Sequence, residues 1–166
     1  MTDASAAAAA MNLDGEWLGF DELGTRRLHD LLRLRQDVFV VEQDCAFPEI
    51  DGKDPQALHY LLVSKSTGAI AGALRIFLPE SVGGPSGATE SRIGRVVTAP
   101  GYRGTGLGRR LMAAGVAKCL ETAPGTPIHL SAQAHLENFY KDFGFERVSQ
   151  DYLEDGIPHV DMIRVV

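Results

Sequence analysis

Short apolar runs of strand length alternate along this chain with longer stretches of helical spacing. Residues 15–20 form the first strand-like run. Thr25 then offers a hydroxyl cap to a helix whose apolar positions Leu28, Leu31, Leu32, Leu34 and Val38 keep helical spacing. Residues 57–65 and 69–78 are apolar runs joined by Ser66-Thr67-Gly68, a hairpin signal. Residues 79–90, rich in Gly, Ser and Pro, read as a surface loop. Residues 92–97 are a fourth strand, and an amphipathic helix follows to residue 121, burying Leu107, Leu111, Ala114 and Cys119. Pro124-Gly125-Thr126-Pro127 turns the chain into a fifth strand, 128–131. A short helix spans 135–143, with Gly144 placed for a left-handed cap. Two last strands, 147–152 and 159–165, are split by the turn Asp155-Gly156-Ile157-Pro158. The pattern predicts a mixed α/β sheet of roughly seven strands with about four helices.

The join between the fourth strand and its helix carries the chemistry. It reads Arg103-Gly104-Thr105-Gly106-Leu107-Gly108-Arg109, entered through a Pro100-Gly101 turn. Unshielded backbone N–H groups collect there at a helix N-terminus, where the helix dipole also favours negative charge. Glycines let a diphosphate approach the main chain without meeting a Cβ, and the flanking arginines grip phosphate oxygens in pairs. A nucleotide P-loop needs Lys-Ser/Thr after its last glycine, but Arg109-Arg110 stands here. A dinucleotide fingerprint places its last two glycines three apart and belongs near the first strand, and neither condition holds.

Length and composition bound the rest. A chain of 166 residues suits one domain with a real core. Residues 1–12, with an alanine run and no basic start, read as a disordered tail ahead of a domain over 13–166. No apolar run reaches a membrane span, so no membrane partner is expected. Cys45 and Cys119 give neither a disulfide framework nor metal-ligand spacing, which points to a cytoplasmic protein without a metal. A net charge of −6 argues against nucleic acid as a main partner. Arg92, Arg95, Arg103, Arg109 and Arg110 gather around the glycine loop, while Glu42, Asp44, Glu49, Asp51 and Asp54 crowd one loop upstream. An anionic cofactor on one side and a cationic amine on the other would suit that asymmetry, as would two solvated faces.

The pattern Arg103-x-x-Gly106-x-Gly108 resembles the pyrophosphate loop of the GNAT superfamily of acetyl-CoA-dependent N-acetyltransferases. Segments 34–43, 131–140 and 154–159 sharpen the resemblance to its ElaA-like branch. The resemblance implies a GNAT sheet splayed between strands four and five, with the pantetheine arm of acetyl-CoA lying in the opening. It implies backbone contacts to that arm from Arg95, Val96 and Val97, with the Val97 N–H facing the thioester oxygen as negative charge grows there. Arg103, Gly104, Thr105, Gly106, Leu107, Gly108 and Arg109 would hold the pyrophosphate, and Asn138 the pantetheine. Tyr140 matches the general acid that protonates the departing thiolate, although periodicity alone makes it a packing residue beside Phe139 and Phe143.

An ammonium acceptor must lose a proton before it attacks. Glu42 is the base expected, with Glu49, Asp51, His59 and His135 as alternatives and the acidic loop read chiefly as an amine recruiter. The activity implied is direct transfer of acetyl from acetyl-CoA to a primary amine of a small molecule or peptide. A catalytically silent acyl-CoA-binding module shares the same loop and is the alternative. The loop over 83–88 is expected to contribute to the acceptor mouth, and the resemblance extends to a homodimer.

Overall fold

The computed structural model describes residues 3–165. Eight strands form one sheet: β1 Leu13–Gly19, β2 Leu58–Ser64, β3 Ile70–Phe77, β4 Ser91–Thr98, β5 Ile128–Gln133, β6 Glu146–Arg147, β7 Tyr152–Glu154 and β8 Ile157–Arg164. The spatial order is β1-β2-β3-β4-β5-β8-β6, with β7 also on β8. The helices are α1 Asp3–Met11, α2 Phe20–Gln36, α3 Leu107–Thr122 and α4 Glu137–Lys141. Among the described residues no helix is long and apolar enough to cross a membrane.

Every neighbouring pair is antiparallel except β4 and β5. Those two run parallel and pair only at Ser91 with Ile128 and Arg92 with His129. Beyond that point the strands part, so the expected opening between the fourth and fifth strands is present. The extra strand comes from the stretch 147–152, which the structure divides. Its two short pieces, β6 and β7, pair with the two halves of β8. The last turn is also tighter than expected: Asp155 (φ 50°) and Gly156 (φ 80°) make it alone, in the two-residue geometry that suits a twisted hairpin.

Each face of the sheet has its own core. Leu62, Leu74, Ile93, Leu111, Met112 and Met162 pack under α3. Leu31, Val38, Leu61, Val63, Ala73 and Val97 pack under α2. Ile93 and Val97 stand four positions apart on one strand, an even offset that would put them on one face, yet they face opposite cores. The cause is a bulge, because the register slips from Arg75 opposite Gly94 to Ala73 opposite Val97. One extra residue in β4 moves every later side chain to the other face.

Two local features depart from the sequence expectations. The run of α2 begins at Phe20 and breaks at Gly24 (φ 73°), so Thr25 stands where the helix resumes. The expected tail is helical over Asp3–Met11, while Met1 and Thr2 lie outside the described residues. A helix this short gains little alone, so docking must supply its stability. Arg110 provides it by donating from Nη1 to Ala10 O and from Nη2 to Leu13 O, both at 3.2 Å. Arg110 therefore serves the N-terminal helix and is not available to the glycine loop.

Candidate active site

The parting of β4 and β5 opens a cleft of about 1000 Å³. Val96 and Thr98 of β4, Ser131 and Gln133 of β5, and Tyr140 of α4 are among its walls. A π-helical turn, Asp37–Glu42, extends α2 over it. Gln133 Nε2 donates to Gln43 Oε1 at 3.2 Å, joining this turn to β5. The loop over 83–88 contributes Pro85, Gly87 and Ala88 to the wall.

The bulge decides which backbone groups face the opening. Arg95 occupies left-handed backbone space at φ 51°, where a side chain is disfavoured. Past it, Val97 pairs with Ala73, and two residues on the Ala99 N–H donates to Ala71 O at 2.8 Å. Antiparallel ladders alternate, so Val97 turns its own N–H toward β3 like Ala99. The peptide groups aimed into the opening are those of Val96 and Thr98. This corrects the expected thioester donor, Val97, whose side chain is also sealed in the α2-side core at 2% exposure.

The glycine loop has the geometry of an anion cradle. Gly104 (φ 74°) and Gly106 (φ 82°) take a conformation that a side chain rarely adopts. Among the described residues, the N–H groups of Gly104, Thr105, Gly106, Leu107 and Gly108 find no partner. The hydroxyl of Thr105 donates back to Tyr102 O at 2.5 Å, which fixes the turn. Arg103 reaches the cleft rim, where its Nη2 meets Glu42 Oε1 at 2.7 Å. Arg109 instead leans outward over Phe139 and Phe143 and pairs with Asp142 at 2.6 Å. Leu107 is buried beneath the loop, and Asn138 is exposed on α4.

Tyr140 lies at the inner wall, edge-on to Phe139 and Phe145. Among the described residues its hydroxyl has no hydrogen-bond partner, and burial pushes the phenol up to about 12. It is a neutral donor at physiological pH.

The acidic loop proves to be a buried ionic strut. Arg35 donates from Nε to Glu49 Oε1 at 2.5 Å and grips both oxygens of Asp54 at 2.8 and 3.1 Å. Arg75 donates to Asp54 Oδ1 at 2.8 Å and to both Asp51 oxygens. Arg95 donates to Glu49 Oε1 and Glu49 O, each at 3.0 Å. Burial alone would raise the Asp51 and Asp54 carboxyls, but hydrogen bonds and charge from the arginines hold both well below the usual range. Three carboxylates so matched by three guanidiniums neither recruit an amine nor take its proton. Glu49 and Asp51 thus lose the roles the sequence suggested, and the side chain of Arg95 braces the bulge. Nothing in the sequence pattern marks Arg35 and Arg75, at helical and strand core positions, as its partners.

The histidine alternatives fare differently. His59 is buried, with Nε2 on Asp54 O at 3.0 Å, and burial lowers its affinity for a proton. His135 is exposed at the cleft and caps nothing. Among the described residues no group of His, Cys, Asp and Glu has the arrangement of a metal site.

An acetyltransferase (GNAT) domain model matches residues 40–166 of the chain. The chain belongs to the GNAT acetyltransferase family. It is ElaA-like within GNAT: Protein ElaA of Escherichia coli is 39% identical over 153 residues, covering 91% of this chain and 97% of that protein. A UPF0039 protein of Synechocystis is 37% identical over 153 residues, covering 92% and 96%. Among solved GNAT structures, an acyl-CoA N-acyltransferase from Pseudomonas aeruginosa superposes with a TM-score of 0.84 at 37% identity, over 92% of this chain and 99% of that one. The crystal structure of Escherichia coli ElaA gives 0.82 at 37% identity with the same coverage.

Proposed function

We propose that this protein is an N-acetyltransferase that moves the acetyl group of acetyl-CoA directly to a primary amine of a small molecule or peptide. The observation that carries the reading is the cradle of unpartnered N–H groups at the start of α3, set beside the cleft that Tyr140 lines. Pyrophosphate fits the N–H groups of Gly104 to Gly108, with Arg103 freed from Glu42 to join them. Arg109 has Asp142 and two aromatic rings as competitors for that duty, so its share is smaller. The pantetheine arm takes the place of the missing strand between β4 and β5, meeting the backbone of Val96 and Thr98. Asn138 stands on the helix that faces this arm. The similar Pseudomonas aeruginosa protein, an acyl-CoA N-acyltransferase, supports an acyl-CoA donor.

In the ternary complex the amine nitrogen attacks the thioester carbon. The C–N bond forms, the C–S bond breaks, and the oxygen's transient charge falls near the N–H of Val96. The CoA thiolate leaves with a proton from the Tyr140 hydroxyl. That hydroxyl, unpartnered at the wall, favours the enzyme over a silent acyl-CoA-binding module. A homodimer remains part of this reading, to be read from sedimentation. The test is free-thiol release from acetyl-CoA against a panel of primary amines. Amine-dependent release that falls at least about tenfold in Tyr140→Phe, with acetyl-CoA affinity kept, supports both the activity and the acid. Acetyl-CoA binding without release on any amine favours the silent module.

A further inference from the structure

With Glu49, Asp51 and Asp54 neutralised by arginines, the cleft holds, besides Glu42 and His135, a base whose ring is fixed in its wall. His159 of β8 sits in its wall, in register with Gln133 of β5. Its Nδ1 lies 2.7 Å from Ile157 O. A carbonyl oxygen only accepts, so Nδ1 carries a proton and Nε2 is the atom that gains or loses one. Nε2 faces Glu154 Oε2 at 3.3 Å across the β7–β8 hairpin. The imidazole side chain is 12% exposed and that of Glu154 is 53% exposed, so a fixed ring stands beside a carboxylate open to incoming cations. Tyr152 stacks on the ring, and its hydroxyl is anchored on Asp161 Oδ1 at 2.7 Å, where Ser131 Oγ also donates at 2.9 Å.

We infer that His159 is the base that takes the proton of the incoming ammonium, and that Glu154 draws that ammonium to Nε2. The assignment rests on the acyltransferase reading above. The ammonium gives one proton to Nε2 and the neutral amine attacks the thioester. As the C–S bond breaks, the Tyr140 hydroxyl protonates the thiolate and regains its proton from the acylated nitrogen, and the imidazolium formed stands against the Glu154 carboxylate. Polar and titratable groups on the packed elements are Gln133 and Ser131 of β5, Tyr152 and Glu154 of β7, Asp161 of β8, and His135 in the turn before α4. Of these, Glu154 is the one bonded at Nε2. The two-residue Asp155-Gly156 turn sets this pair, since it puts Glu154 opposite Ile157 and leaves His159 two residues on.

The experiment compares wild type, His159→Gln and Glu154→Gln with two nucleophiles on acetyl-CoA. One is 1,4-diaminobutane, an ammonium at neutral pH. The other is hydroxylamine, which is already unprotonated there and needs no base. His159→Gln is expected to lose at least about 100-fold on the diamine, together with the acid limb of the pH–rate profile. Its hydroxylamine rate and acetyl-CoA affinity should stay. Equal losses on both nucleophiles, or none on the diamine, overturn the assignment while leaving the acyltransferase reading intact. If wild type binds acetyl-CoA but does not consume the diamine, imidazole NMR decides. The diamine must then shift the His159 resonance in wild type and not in Glu154→Gln, and no shift overturns the assignment. Failure to bind acetyl-CoA removes the acyltransferase reading and this assignment with it.

Discussion

Arg95 Nε donates to Glu49 Oε1 over 3.0 Å, tying the one left-handed residue of β4 to the loop on the other side of the cleft. The bulge turns the backbone of Val96 and Thr98 toward the opening, so the same ion pair braces the donor wall and the loop. Glu49 is 5% exposed, and loss of a partner there is costly. Arg95→Gly keeps the backbone conformation accessible and removes the brace. We expect it to lower unfolding free energy by about 1–3 kcal/mol and to weaken acetyl-CoA binding. Denaturant titration and calorimetry check both, and unchanged values in both would refute the brace.

Acid should loosen the fold through the same cluster. The Asp51 and Asp54 carboxyls are held below their ordinary value of 3.8 once the arginines outweigh burial. Their contribution is thus complete above about pH 4 and is lost as pH falls toward the folded values. Melting temperature should drop steeply below about pH 4 and do so less in Asp54→Asn, which starts lower. A melting temperature that stays level well below about pH 4 in wild type would contradict the strut.

Glu42 competes with the cofactor for Arg103. The pair is close to half exposed, at 43% and 45%, and so is weak in water. Glu42→Gln frees the guanidinium and should tighten acetyl-CoA binding up to about fivefold. A looser complex in this variant would mean that Glu42 itself supports the cofactor.

Alkaline solution should leave the acid in place. Burial pushes the Tyr140 phenol up to about 12, which favours its neutral form in the folded state. Its stabilising contribution is whole below the ordinary phenol value of about 10 and fades as pH rises through the folded value. In ultraviolet difference titrations, the step missing from Tyr140→Phe should be the late one. An early missing step would contradict a buried donor.

The strands, the helices and the glycine cradle could be read from residue order, because strand length, helix spacing and glycine placement are local properties, whereas the parting of β4 from β5 was implied by the GNAT resemblance alone. What escaped the reading depends on distant contacts. Arg95 takes a left-handed conformation because Glu49 and Asp51 hold its side chain, and no local signal marks a non-glycine residue for that. The bulge it creates then decides that Val97 looks toward β3, so a donor chosen by position fell one residue away from those the ladder exposes. Glu49, Asp51 and Asp54 look like free acids until Arg35 and Arg75 arrive from α2 and β3. The helix at residues 3–11 depends likewise on Arg110, a hundred positions later. His159 lies in the family-like segment 154–159, and only the hairpin geometry brings it to Glu154.

The measurement that tests the central claim most directly is calorimetric titration of acetyl-CoA into wild type and Gly106→Ala. Gly106 sits at φ 82° in the middle of the cradle, with nothing within 4 Å of an added Cβ. The substitution therefore strains the loop without clashing, and it is expected to weaken one-to-one binding by about tenfold. Absence of acetyl-CoA binding to wild type, or equal affinity in the two proteins, would contradict the assignment of the cofactor to this loop.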